Sequence, residues 1–155
     1  MKQRFEKEVS LARYTAFQIG GPAELFFLAK SRNDLIEALS NAQDNSISVT
    51  IIGGGSNLLI SDDGVKGLVI LNRANNYKFS GTKLFCESGA ILSKVARESV
   101  ENGLSGLDFA TGIPGTIGGA VVGNAGAYGK ETANVLVEAE VWDGEIWTLE
   151  NKDLN

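Results

Sequence analysis

The chain has no histidine, one cysteine and two prolines among its 155 residues. Histidine is the side chain that ordinarily titrates near neutral pH, so its absence removes the commonest metal ligand and general base. A Ser–His triad is excluded for the same reason. The lone Cys86 excludes an internal disulfide. Runs of Lys or Arg are also missing. With a net charge of −5 and a pI of about 4.8, this argues against a nucleic-acid partner held through its phosphates. No apolar stretch approaches the ~18 residues of a membrane helix. The start, Met1-Lys2-Gln3-Arg4-Phe5-Glu6-Lys7-Glu8, lacks the apolar core of a signal peptide. No nucleic acid, no membrane, no metal and a cytoplasmic location are therefore expected. Chemistry done by such a chain must come largely from a cofactor or from another part of the protein.

Glycine is the residue in excess, at 19 of 155 or about 12%, against an average near 7%. The surplus sits in two segments. The first follows a β-branched run: Ile52-Gly53-Gly54-Gly55-Ser56-Asn57-Leu58. The second runs Gly112-Ile113-Pro114-Gly115-Thr116-Ile117-Gly118-Gly119-Ala120 and continues to Asn124-Ala125-Gly126-Ala127-Tyr128-Gly129. Backbone without Cβ lets N–H groups approach a ligand, and successive N–H groups in one concavity form an anion nest. Two such loops on one small chain point to an extended phosphorylated ligand, with a nucleotide cofactor foremost.

Neither common phosphate fingerprint fits. A dinucleotide G-x-G-x-x-G needs glycine where Leu58 stands, and Arg73 lies near the place of its acidic residue. A Walker A loop needs Gly-Lys-Ser/Thr, and the first segment has no lysine. Taken alone, residues 53–55 leave a tight connection without ligand as the alternative. Ser56 and Asn57 favour the nest, because a hydroxyl and an amide beside it suit phosphate oxygens. In the second segment Pro114 fixes one φ between flexible neighbours, so that loop has a shape. Gly118, Gly119 and Ala120 would let a helix start lie against the ligand; a purely structural turn under the preceding helix is the alternative. Cys86 lies in an alternating strand and reads as core. Asp62 and Asp63 read as turn formers before Gly64.

The periodicity predicts a β-α-β-β lobe over residues 1–72 and a second lobe over residues 73–155, an α+β arrangement. Residues 24–29 read as a strand, and Ser31 to Asp34 as a capping box opening a helix that fades by residue 45. Residues 47–52 read as a buried strand and 66–71 as another. A hairpin over 77–87 and an amphipathic helix over 91–102 follow, with Gly103 as its stop. A short helix is expected over 116–122. Asp143-Gly144 signals a two-residue hairpin, with Trp142 and Trp147 packing across it. The polar tail 151–155 closes no element, so the chain reads as cut.

Four motifs, Ile19-Gly20-Gly21-Pro22-Ala23, the two glycine segments and Asn124 to Gly129, occur in the order found in the UDP-N-acetylenolpyruvoylglucosamine reductases. The chain resembles that family over residues 15–129. It is similar, more loosely, to flavoproteins of the vanillyl-alcohol oxidase type, which bind FAD between two α+β subdomains. The resemblance implies an FAD flavoprotein and oxidoreductase of peptidoglycan precursor synthesis. It takes hydride from NADPH and reduces the UDP-sugar substrate UDP-N-acetylglucosamine-enolpyruvate. It further implies that Ile52, Gly53, Gly54, Gly55, Ser56, Asn57 and Leu58 hold the pyrophosphate. Gly112, Ile113, Pro114, Gly115, Thr116, Gly118, Gly119 and Ala120 line flavin and phosphates. Asn124, Gly126 and Ala127 lie beside the ring, with Tyr128 a candidate on the substrate side. The family's Tyr-Arg-x-Ser motif, its proton-donating serine and a late glutamate fall beyond Asn155, and Gly123 stands where many relatives carry a larger residue. The expectation is a cofactor portion with no catalytic residue of its own, inactive alone and completed by a missing C-terminal domain. A non-catalytic flavin- or nucleotide-binding module is the alternative.

Overall fold

A computed structural model describes residues 5–154. Four strands, β1 (Glu6–Ser10), β2 (Pro22–Ala29), β3 (Val49–Ile52) and β4 (Val65–Asn72), form one sheet in the order β1-β2-β4-β3. β4 runs parallel to both neighbours, while β1 pairs antiparallel with β2. The central place of β4 explains its unbroken apolar run. Val69 and Leu71 pack with Val9, Leu11, Phe26 and Ile52 on one face. Leu68 and Ile70 pack with Ala29, Ala38 and Ala42 on the other. A strand buried on both faces has no polar alternation to show, and each such side chain contributes roughly 1.5–3 kcal/mol on burial.

Helix α1 (Arg32–Asp44) covers that second face. Ser31 Oγ accepts the Asp34 N–H at 3.1 Å, as the capping box predicts. The Asp34 carboxylate reaches one residue further back than expected and accepts the Lys30 N–H at 2.8 Å.

The rest of the chain forms β5 (Tyr77–Ser80) and β6 (Lys83–Cys86), then α2 (Leu92–Glu101), α3 (Ile117–Val122), and two short pairs. The pairs are β7 (Gly126–Ala127) with β8 (Lys130–Glu131), and β9 (Glu138–Trp142) with β10 (Ile146–Glu150). Leu92, Ala96, Phe109, Ala110 and Ala120 make a third apolar cluster between α2, α3 and a 3-10 turn at Asp108–Gly112. α2 ends as predicted. Gly103 takes φ +73, its N–H donates to Val100 O, and the Leu104 N–H donates to Ser99 O. That pair of bonds is a Schellman stop. The architecture is a mixed α and β fold with a small sheet and, among the described residues, no closed barrel.

Several sequence expectations are corrected. β1 precedes the β-α-β-β unit; its Glu6-Lys7-Glu8 start suits an exposed edge, where charge discourages further pairing. β3 lies at the opposite edge, so Val49 and Ile51 are exposed and only Ile52 is buried. The last hairpin has a three-residue turn, because Trp142 pairs with Ile146. Trp147 pairs with Val141, and neighbouring register positions face opposite ways, so the two tryptophans sit on opposite faces. Residues 151–153 form a 3-10 turn, tied back by Asn151 N–H to Val137 O and Asn151 Nδ2 to Ala133 O. Among the described residues no helix is long and apolar enough to cross a membrane.

Candidate cofactor-binding site

The two glycine segments, about 60 residues apart in sequence, touch. β3 delivers the first at the carboxyl end of the parallel strands, where open α/β sheets bind ligands. A Cβ on Gly54 would lie 2.7 Å from the Gly115 Cα, and one on Gly53 would overlap Thr116 Oγ1. Ser56 Oγ donates to Pro114 O at 3.4 Å across the same junction. Glycine at 54 is therefore a requirement of two backbones in contact. Gly55 has a different reason: φ is +68, and a Cβ there would run into the Tyr14 carbonyl, while Ala16 N–H donates to Gly55 O.

Beside the junction lies a cavity of about 310 Å³, lined by Gly54, Arg73, Asn75, Gly89, Ile91, Gly115 and Thr116. The N–H groups of Gly54, Gly55, Ser56 and Asn57 meet no protein acceptor among the described residues. Those of Gly115 and Thr116 meet none either. Gly55 and Thr116 are buried and Ser56 and Gly115 half-buried; buried backbone donors are almost always partnered, so these open N–H groups fit an acceptor supplied from outside the chain.

Arg73 adds a cation. Asn72, buried at the end of β4, accepts the Ala74 N–H at 3.0 Å through Oδ1 and donates through Nδ2 to Ser88 Oγ at 2.8 Å. This turns the chain sharply and sends the half-buried Arg73 toward the first glycine loop. Its Nη1 donates to Gly53 O at 2.7 Å and Asn72 O at 3.1 Å. No carboxylate pairs with it among the described residues. Glycine cradle, open amides and unpaired guanidinium together suit the diphosphate of a dinucleotide such as FAD.

The other sequence-derived candidates divide. Ile52 is fully buried in the sheet core, and Leu58 packs against that core. The α3 start is already satisfied by protein. Ile117 N–H donates to Ala90 O, Gly118 N–H to Ser88 O, Gly119 N–H to Thr116 Oγ1 and Ala120 N–H to Thr116 O. A Cβ on Gly118 would meet Ser88 Cβ at 2.8 Å, so this residue docks α3 onto the 88–90 turn. Ala120 faces the third apolar cluster, against which Ile113 packs. Gly112 ends the 3-10 turn in open space. Asn124 uses Oδ1 to accept the Ala133 N–H at 2.9 Å, Gly126 and Ala127 form β7, and Tyr128 is 95% exposed. None of these residues lines the cavity.

Sequence reading missed Arg73, Asn75, Gly89 and Ile91 as cavity residues. Arg73 carried a legible signal, an arginine directly after a buried parallel strand. Ile91 was read as part of the apolar helix face, but it stands before the first turn, half exposed, bridged to Thr116. Cys86 is half-buried, and burial together with the neighbouring Glu87 charge pushes its thiol up to about 12, which disfavours the nucleophilic thiolate. Among the described residues no His/Cys/Asp/Glu group could hold a metal ion. Asp62 and Asp63 sit in a turn closed by Gly64 N–H to Ser61 O.

A protein-family model described as FAD binding domain matches residues 23–150. The UDP-N-acetylenolpyruvoylglucosamine reductase of Rubrobacter xylanophilus is 44% identical over 147 residues, 93% of this chain and 50% of that protein. Its counterpart in Lactobacillus delbrueckii subsp. bulgaricus is 44% identical over 153 residues, 97% of this chain and 52% of that protein. The chain thus spans about half the length of the curated relatives it matches. Among solved structures, UDP-N-acetylenolpyruvylglucosamine reductase (MurB) from Thermus caldophilus aligns with a TM-score of 0.81 at 32% identity, over 96% of this chain and 53% of that one.

Proposed function

This chain belongs to the FAD binding domain family, and on that premise we propose that it is the FAD-binding part of a UDP-N-acetylenolpyruvoylglucosamine reductase. FAD held by these loops would supply the redox chemistry for NADPH-dependent reduction of the enolpyruvyl double bond of a UDP-sugar to UDP-N-acetylmuramate. The observation that carries the reading is that the two glycine segments meet at one cavity, where the open amides of Gly54, Gly115 and Thr116 stand with Arg73. Relatives at 44% identity over nearly the whole chain support it.

In this reading Gly54, Gly55, Ser56 and Asn57 bind the diphosphate by backbone N–H groups, with the Ser56 hydroxyl beside them. Ile52 and Leu58 anchor that loop in the sheet core. Gly115 and Thr116 close the opposite wall, while Gly112, Ile113 and Pro114 shape its approach. Gly118, Gly119 and Ala120 act behind this wall, holding α3 against the 88–90 turn. A 310 Å³ cavity is at the small end of ligand sites, so a dinucleotide is gripped there by its middle. The resemblance to the reductases would put Asn124, Gly126 and Ala127 beside the flavin ring and Tyr128 on the substrate side. The two lobes divide near residue 72. The UDP-sugar and the proton it receives are handled by the remainder of a longer cytoplasmic enzyme.

The test is spectroscopic. The purified chain, incubated with FAD and desalted, should retain the flavin absorption bands. It should show no UDP-sugar-dependent oxidation of NADPH, because no Asp, Glu, Cys or Tyr is among the described residues that line the cavity, and general-acid assistance typically contributes about 10²–10⁴-fold. A folded chain with no affinity at high micromolar FAD contradicts the reading.

A further inference from the structure

We propose that Arg73 is a diphosphate-binding residue that makes this chain select charged dinucleotides over uncharged flavin. The inference rests on the FAD reading above and goes beyond it, because no glycine motif includes this position. Among the described residues that line the cavity, Arg73 alone is charged. A guanidinium carries five N–H donors. Both of its bonds to the protein, to Gly53 O and Asn72 O, use Nη1, which leaves Nε and Nη2 to be satisfied.

A half-buried cation without a counter-ion is costly to desolvate and is normally matched by an anion. Here the chain itself is acidic, yet no carboxylate comes to Arg73 among the described residues. Its bond to Gly53 O also fixes the peptide plane between residues 53 and 54, and so the direction of the Gly54 N–H, because C=O and N–H are antiparallel across a trans peptide. The same side chain therefore orients the first open amide and places a positive charge beside it. Buried Asn72 holds the turn from which Arg73 projects, so the cation is positioned before ligand arrives.

Diphosphate occurs in both FAD and a UDP-sugar. The cavity lies between the two glycine segments assigned to the cofactor, which favours FAD. The experiment titrates FAD, UDP and riboflavin into the chain and into Arg73→Gln and Arg73→Lys, at low and high salt, with thermal unfolding run alongside. Arg73→Gln should weaken FAD roughly 10- to 100-fold, the range for a hydrogen bond to a charged group. It should also flatten the salt dependence and leave riboflavin unchanged, while Arg73→Lys retains the salt dependence. Equal weakening of FAD and riboflavin would make Arg73 a loop prop and overturn the proposal. So would an unchanged FAD affinity in Arg73→Gln, with the FAD reading itself left standing. Loss confined to UDP would overturn the assignment to FAD. A parent chain that binds no FAD removes the functional reading and this inference together.

Discussion

Replacing Gly54 by alanine puts one methyl group into the contact between the two glycine loops. The new Cβ would lie 2.7 Å from Gly115 Cα and 3.3 Å from its carbonyl carbon, where ordinary contact begins at 3.4 Å. Both neighbours are backbone, so no rotamer can yield and the loops must part by about 0.7 Å or more. Overpacking of this kind costs typically about 1–3 kcal/mol. Gly54 has no positive φ, so backbone strain adds nothing. Both loops are at the surface and relax apart in the free chain, but a ligand gripped by both must pull them together again. The cost therefore falls mainly on binding, at roughly 5- to 150-fold in FAD dissociation constant. Gly81→Ala provides the contrast. Gly81 sits at φ +59 in the β5–β6 turn with open space around it, so alanine there should cost about 1–2 kcal/mol of stability and no FAD affinity. Flavin fluorescence titration beside urea unfolding separates the two signatures. A Gly54→Ala chain that binds FAD like the parent would refute the argument and reduce the loop to a turn.

Asn72→Ala leaves the buried Ala74 N–H and Ser88 hydroxyl without partners and should cost about 1–3 kcal/mol in urea unfolding, with FAD affinity falling as Arg73 loses its support. Cys86 should react with iodoacetamide at pH 8 far more slowly than an exposed thiol, since its thiolate is reached only near pH 12. The exposed Asp108 carboxylate is held below its ordinary 3.8, first by its hydrogen bond from Lys130 and then by the Gly106 N–H. A depressed folded value means its contribution is present above the unfolded value and lost as pH falls through the folded one. Carboxyl NMR shifts should therefore show Asp108 titrating below 3.8, and Lys130→Met should move it upward with little change in melting temperature.

Local chemistry made much of this fold legible. Ser31 and Gly103 mark the ends of α1 and α2 because their side chain or backbone acts within a few residues of its own position. The unbroken run at residues 68–71 announced a strand with two buried faces. β1 was silent because an edge strand buries little, and Val9 is its one buried residue. Both glycine segments stood out in the sequence, but their contact at residues 54 and 115 depends on the sheet and on α2 and could not be read from either. The α3 start illustrates the same limit from the other side. Its glycines resemble an anion site in sequence, yet its N–H groups are taken by Ala90 O and Ser88 O, nearly thirty residues earlier, and by Thr116 at its own N-cap. Arg73 was noticed only as a departure from another fold's fingerprint, since its partner carbonyl at Gly53 lies 20 residues away.

The central claim is that open amides at the meeting of two loops hold the FAD diphosphate. Amide hydrogen exchange of the chain with and without FAD, resolved by residue, tests it most directly. The account predicts slowed exchange at Gly54, Gly55, Ser56, Asn57, Gly115 and Thr116 on adding FAD, with Ile117 to Ala120 unchanged because protein already accepts their protons. Protection that appears at the α3 start while residues 54–57 exchange as before would contradict it.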